Sequence, residues 1–219
     1  MGASPYGFGH IHDTYAVWLK LASGVVKRYF LQRINQHVFK KLEEVMGNIE
    51  RVTRHLRKKI IAAGGDPERV IVTLIPTLEG NSYYKTPEGD NWRVLVFIEG
   101  ARAYLRGVNL DNYYQASKVF GKFLRYLGNF PLEQLHVTTP DFHHTTKRFQ
   151  AFVQTVEGDV ENWAQSVKTE IEFVMSGAEE TNLLIDLQAQ GMLPERVTHN
   201  DTKFDNVMID DGTGEGVCH

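Results

Sequence analysis

The segment Val197-Thr198-His199-Asn200-Asp201-Thr202-Lys203-Phe204-Asp205-Asn206-Val207-Met208-Ile209-Asp210 decides how the rest of the chain reads. It sets Asp201 and Asn206 five residues apart, between an apolar entry at Arg196-Val197-Thr198 and an apolar exit at Val207-Met208-Ile209. The following Asp210-Asp211-Gly212-Thr213-Gly214 has the composition of a hairpin turn. Short β-like runs on both sides predict a rigidly mounted loop carrying one carboxylate and one amide. Rigid mounting matters, because misplacing a reacting group by about 1 Å can cost about a hundredfold in rate.

Working back from that loop, the chain divides by pattern. Thr14–Lys20 and Val25–Arg33 are β-rich runs joined by Ala22-Ser23-Gly24, which predicts an antiparallel hairpin. From Phe39 the apolar residues Leu42, Val45, Met46, Ile49, Val52 and Leu56 fall at steps of three or four, the period of an amphipathic helix. Gly64-Gly65-Asp66-Pro67 ends it, and Val70–Ile75 reads as a buried strand. Tyr83-Tyr84-Lys85 and Trp92–Ile98 flank the turn Pro87-Glu88-Gly89-Asp90 as a second hairpin. After Glu99-Gly100-Ala101 the chain becomes helical by pattern, with helices expected near residues 111–127, 145–156, 160–175 and 179–190. The expected organisation is a compact α+β lobe over residues 1–99 and a mostly helical, incomplete lobe over residues 100–219 that contains the loop.

Composition narrows the function classes. With 219 residues and 42% hydrophobic content the chain can bury a core. Its 24 Lys+Arg against 27 Asp+Glu, net −3, carry no overall footprint for nucleic acid or an anionic membrane. The one cysteine, Cys218, rules out an internal disulfide framework and a cysteine-based zinc cluster. The N-terminal residues lack a signal-peptide layout and no apolar run reaches spanning length, so the expected location is cytoplasmic.

The Asp201–Asn206 spacing is the one phosphoryl-transfer loops use. There the Asp accepts the proton of the attacking hydroxyl, and the Asn reaches a magnesium ion on the nucleotide phosphates. At the other end of the chain, Gly7 and Gly9 lie just ahead of the first expected strand, where glycine lets backbone amides approach phosphate oxygens. Arg33, ending the second expected strand, is a candidate cation for those phosphates, with Glu50 on the next helix to orient it. An exposed strand-end arginine and a solvated helix glutamate would look the same. Phe97, Ile98 and Glu99 occupy the connection between the lobes, where backbone groups would meet an adenine edge.

Several segments together resemble the aminoglycoside phosphotransferase and choline kinase-like superfamily, closest to its N-acetylhexosamine 1-kinase group. They are Gly7–Tyr15, Tyr29–Asn35, Asn48–Thr53, Trp92-Arg93 with Phe97-Ile98-Glu99, Pro140–His143, and Thr198–Lys203 with Asn206. The resemblance implies a protein-kinase-like two-lobed fold and an ATP- and Mg2+-dependent kinase of a small molecule, with the anomeric hydroxyl of an N-acetylhexosamine as acceptor. It makes Asp201 the base, Asn206 a magnesium ligand, and Gly7, Gly9, Arg33 and Phe97–Glu99 the nucleotide contacts. His10, Asp13, Asp141 and His143 become candidate sugar contacts, since imidazole and carboxylate groups hydrogen-bond hydroxyls.

The family's pattern continues into a second strand bearing a metal-binding Asp, and this chain supplies Gly216-Val217-Cys218-His219 in its place. The expectation is therefore a C-terminally truncated chain that is itself inactive and self-associates through uncovered apolar surface. Two alternatives stand beside the sugar kinase. One is a nucleotide-binding fragment or pseudokinase without turnover; the other is a kinase of another small alcohol such as choline, homoserine or an aminoglycoside.

Overall fold

The computed structural model describes residues 2–7, 9, 11–107 and 109–218. Contacts divide the chain into two compact units, residues 1–138 with 197–219, and residues 139–196.

The first unit is built on an antiparallel sheet of six strands. β1 (Gly2–Pro5), β2 (Asp13–Lys20) and β3 (Val26–Arg33) lie side by side, followed by β6 (Asn91–Val96) and β4 (Leu74–Ile75), with the short β5 (Tyr84–Lys85) also on β6. The β2–β3 hairpin closes as read from sequence, with Leu21 N–H donating to the Val25 carbonyl (2.8 Å) and Gly24 at φ +84°. Its register pairs Asp13 with Arg33, Thr14 with Gln32 and Ala16 with Phe30; β6 then sets Arg93 beside Gln32 and Trp92 beside Arg33. β1 was not expected. Its four residues, Gly-Ala-Ser-Pro, carry no β-branched or alternating pattern, and pairing with β2 alone makes them a strand. Just past β1, Tyr6 N–H donates to the Thr14 carbonyl at 2.9 Å and extends the pairing by one bond.

The long helix α1 (Leu42–Ala62) buries Met46, Leu56 and Ile60, and Glu43 and Glu44 in its first turn complement the helix dipole. Val70–Ile75 is not one strand. Asp66 caps Glu68 N–H (2.9 Å) ahead of Pro67, so residues 67–70 form the short helix α2, and only Leu74–Ile75 pair with β6. The Asp-Pro start signal outweighs the β-branched composition that follows it.

α3 (Leu110–Leu127), capped by Asn109 on Asn112 N–H (3.0 Å), is the pivot of this unit. One stretch of it packs Phe123 and Leu127 with Leu56, Ile60, Ile71 and Phe130. Another packs Ala116, Val119 and Phe120 against Val207 and Ile209. Those two residues flank and enter β8 (Met208–Asp210), the middle strand of a small antiparallel sheet with β7 (Ala101–Ala103) and β9 (Gly216–Cys218). Each fully buried large apolar side chain contributes about 1.5–3 kcal/mol, so the loop ahead of β8 is anchored through its exit strand. The entry run Arg196–Thr198 is not a strand, so only the exit side of the expected mounting forms.

The second unit carries α4 (Thr145–Gly158), α5 (Lys168–Ser176) and α6 (Leu183–Ala189). α5 starts later than the apolar periodicity suggests because Asp159 and Asn162 adopt left-handed φ values of +32° and +53°. A 3-10 turn at Ala178–Asn182 likewise takes the place of the expected first turns of α6.

Candidate active site

The loop carrying Asp201 and Asn206 holds its shape through short-range bonds. Asn200 takes φ +64°, reversing the chain just before Asp201. A 3-10 turn at Phe204–Asn206 then brings Asn206 back, so that its Nδ2 donates to both the main-chain oxygen and the Oδ2 of Asp201, each at 2.8 Å. The five-residue spacing is thus closed by a direct contact between the two candidate residues. Asp201 is exposed, while Val207 directly after the turn is fully buried.

His199 ties the loop to α3. Its ring lies edge-on to Phe120 (5.3 Å) and Phe123 (5.8 Å), and its Nδ1 accepts from Asp201 N–H at 3.3 Å. Burial against these rings lowers the His199 pKa, against an opposing pull from Asp201, which favours the neutral acceptor form. Lys203, two residues after Asp201, sets its ammonium 3.1 Å from Asp205, and that hydrogen bond raises its pKa. Both residues lie inside the Thr198–Lys203 motif, but sequence alone gives neither of them a role.

Beyond the loop, Asp210 accepts from Gly212 N–H (2.9 Å) and Thr213 N–H (2.8 Å) and pairs with Arg69. The Thr213 amide first, then the Arg69 guanidinium, hold the Asp210 carboxyl down at about 2. Arg69 also donates to the Glu99 carbonyl at 2.6 Å, so one side chain from α2 joins the hairpin to the 97–99 segment. Sequence offered no signal for Arg69, because its partners are 30 and 141 residues away. Asp211 is held by Arg102 at 2.6 Å.

Phe97 and Ile98 are buried, and Glu99 is exposed with its carboxylate on Arg28. The Phe97 ring packs on Phe30 (4.5 Å) and Tyr6 (5.4 Å), with the Arg28 guanidinium 3.7 Å from its centre. A cavity of about 470 Å³ is lined by Phe97, Ile98 and Glu99 together with Arg28 and Arg69. Glu50 lines a separate cavity of about 310 Å³ with Thr53, Arg54 and Thr73.

Arg33 is exposed and bonded to Asp13, with Nε at 2.7 Å and Nη2 at 2.5 Å, and lies 3.5 Å from Asp90. The Asp13 hydrogen bond raises its pKa. Arg93, on the neighbouring strand, is part-buried. Its Nε donates to Gln32 Oε1 (2.8 Å), Gln32 donates to Thr14 (2.9 Å), and its Nη1 faces the Met46 sulfur at 3.8 Å. Burial lowers the Arg93 pKa to about 10, and burial, then the Arg93 charge, lower that of His12 to about 4.

Gly7 takes φ +87°, and both Gly7 and Gly9 have open space where a side chain would project. His10 lies outside the described residues. Asp141 and His143 belong to the second unit. There Asp141 bonds Lys147 (2.6 Å), which lowers its pKa, and the His143 ring lies edge-on to Phe142 at 4.7 Å in the turn that starts α4. Among the described residues no group of three or more His, Cys, Asp and Glu gathers as a metal site, and no helix is long and apolar enough to cross a membrane.

No protein-family model matches the chain. Among solved structures it is similar to spectinomycin phosphotransferase APH(9)-Ia in complex with ADP and spectinomycin, with a TM-score of 0.52 at 14% identity, covering 97% of this chain. The chain spans 61% of that protein's length. That likeness, with the antiparallel N-terminal sheet and the helices after it, establishes an α+β, kinase-like fold.

Proposed function

We propose that this chain belongs to an ATP-dependent phosphotransferase acting on a hydroxyl of a small molecule, with the anomeric hydroxyl of an N-acetylhexosamine as the acceptor its sequence motifs favour. The carrying observation is the closed Asp201–Asn206 contact on a loop anchored to α3. Asp201 accepts the proton of the attacking hydroxyl. Asn206 fixes its carboxylate, and because the Asn206 nitrogen is spent on Asp201, its Oδ1 is left as a hard oxygen donor of the kind magnesium takes. A magnesium ion there would neutralise charge on the phosphate oxygens. Gly7 and Gly9 cover the phosphates, and Phe97–Glu99 border the base. Sequence position alone favours Arg33, backed by Glu50, as the phosphate cation. Asp13, Asp141 and His143, with His10, are the positions proposed for the sugar. The ADP and spectinomycin bound by the structural neighbour support a nucleotide and a small hydroxylated acceptor.

A second reading, nucleotide binding without turnover, is favoured by one observation. The carboxylates nearest Asn206 along the hairpin are already committed, Asp210 to Arg69 and two amides, Asp211 to Arg102. A coupled ADP-release assay of the full-length gene product with ATP, magnesium and a panel of N-acetylhexosamines, choline, homoserine and aminoglycosides separates the readings. Acceptor-dependent ADP release supports the first, with N-acetylhexosamines as the expected acceptors. Nucleotide binding without release on any acceptor supports the second. Failure to bind nucleotide overturns both.

A further inference from the structure

Side chains alternate across a strand, so Arg33 and Gln32 point to opposite faces of the sheet. The register puts Thr14, Gln32 and Arg93 in one row across β2, β3 and β6, on the face that also carries Phe30 and meets Met46 of α1. Arg33 shares the other face, where two carboxylates already compensate it. From this geometry we infer that Arg93 is the cation that binds the nucleotide phosphates, with Gln32 holding it in place. The inference rests on the nucleotide-dependent reading above and deepens it, with Arg93 taking the role that sequence position alone gives Arg33.

Three features support the assignment. First, Arg93 has no carboxylate partner among the described residues: Gln32 offers a neutral oxygen, and a thioether is a weak acceptor. A part-buried guanidinium without a counter-ion is costly to hold, and an anionic ligand removes that cost. Its pKa, though lowered by burial, stays far above neutrality, so the charge persists. Second, the row crosses β2 at Thr14, close to its first residue, and His12, just ahead of that strand, is close enough to feel the Arg93 charge. Third, Phe30, two residues back along the same face, packs with Phe97 and Tyr6. The aromatic cluster proposed for the base therefore lies roughly 7 Å along β3, the strand repeat for one face, from Gln32, which Arg93 meets from β6.

Calorimetric titration of the full-length gene product with ATP, adenosine and inorganic tripolyphosphate tests this, using Arg93→Met and Arg93→Lys. Charge-assisted hydrogen bonds of this kind predict that Arg93→Met weakens ATP and tripolyphosphate roughly 10- to 100-fold and leaves adenosine unchanged. Arg93→Lys should fall between, since it keeps charge but loses the planar fork. Without ligand, Arg93→Met should melt no lower than the parent, because an uncompensated part-buried charge has gone. Unchanged ATP affinity in Arg93→Met overturns the assignment. So does an equal loss of adenosine and ATP, or a much lower melting temperature, either of which marks a merely structural role. Tripolyphosphate binding that depends on Arg93 in a parent that ignores ATP would keep the anion site and remove the nucleotide reading. A parent that binds none of the three overturns both.

Discussion

Replacing Asp201 by Asn separates chemistry from structure at the candidate site. The carboxylate accepts one bond from Asn206 Nδ2, and that same nitrogen is shared with the Asp201 main-chain oxygen, both at 2.8 Å. The substitution keeps the main-chain acceptor, and the new amide oxygen can take the other bond, so only the charge assistance is lost. For an exposed residue that difference is under about 1 kcal/mol. A chain of this size should then melt within roughly 2–4 °C of the parent. The proton acceptor, by contrast, is gone, and general-base catalysis is typically worth about 10²–10⁴-fold, or roughly 2.7–5.5 kcal/mol at the barrier. The assay is ADP release by the full-length gene product alongside thermal melting and ATP titration. A rate loss in that range with ATP affinity and melting preserved is the expected outcome. Near-normal turnover would remove Asp201 from the mechanism, and a large fall in melting temperature would show that the loop depends on the charge for its fold.

Asn206→Ala frees the Asp201 carboxylate and removes the proposed metal ligand, so the magnesium dependence of ATP use should rise to higher concentrations in a magnesium titration. Gly216→Ala would set a methyl 2.6 Å from Val119 Cγ2 and 2.7 Å from the Gln115 carbonyl, and such overpacking should cost about 1–3 kcal/mol by urea unfolding. Leu127→Ala, at 2% exposure between α1 and α3, should cost about 2–5 kcal/mol in the same experiment. The His12 pKa falls from 6.5 to about 4 on folding, so below 6.5 the unfolded chain binds the proton that the folded chain refuses. Stability from this group is full above about 6.5 and is lost as pH falls toward 4; a His12→Gln variant should show a shallower decline in urea midpoint across that window.

The parts of the fold that sequence revealed are those in which neighbouring residues decide the outcome. The β2–β3 hairpin, α1 and α3 follow from alternation, helical periodicity and Gly24 in its turn, and the structure places all three. β1 escaped because its pairing with β2 supplies what its composition lacks. The expected Val70–Ile75 strand is shortened because the Asp66 cap starts a helix that takes in Val70, and only Leu74–Ile75 pair with β6. At the candidate site the same division holds. The Asp201–Asn206 contact spans five residues and was legible, whereas Arg69 reaches Asp210 across 141 residues and Arg93 meets Gln32 across 61, distances no local pattern encodes. Choosing between Arg33 and Arg93 requires knowing which face of the sheet each occupies, and that is a property of register.

Those long-range ties also explain how an exposed loop can hold a reacting group still. Asp201 itself is exposed, and its immediate partners are exposed or partly so. Its rigidity comes from residues on either side: His199 wedged on Phe120 and Phe123 before it, Val207 and Ile209 packed on α3 after it, and Arg69 linking the hairpin to the Glu99 carbonyl. Because α3 also packs on α1, whose Met46 faces Arg93, the proposed base and the proposed phosphate cation are each held through this pair of packed helices rather than through each other. Substitutions at the exposed residues should therefore alter chemistry with little change in stability. Substitutions at Phe120 or Phe123 should lower both together, because they loosen the core and the loop in one step.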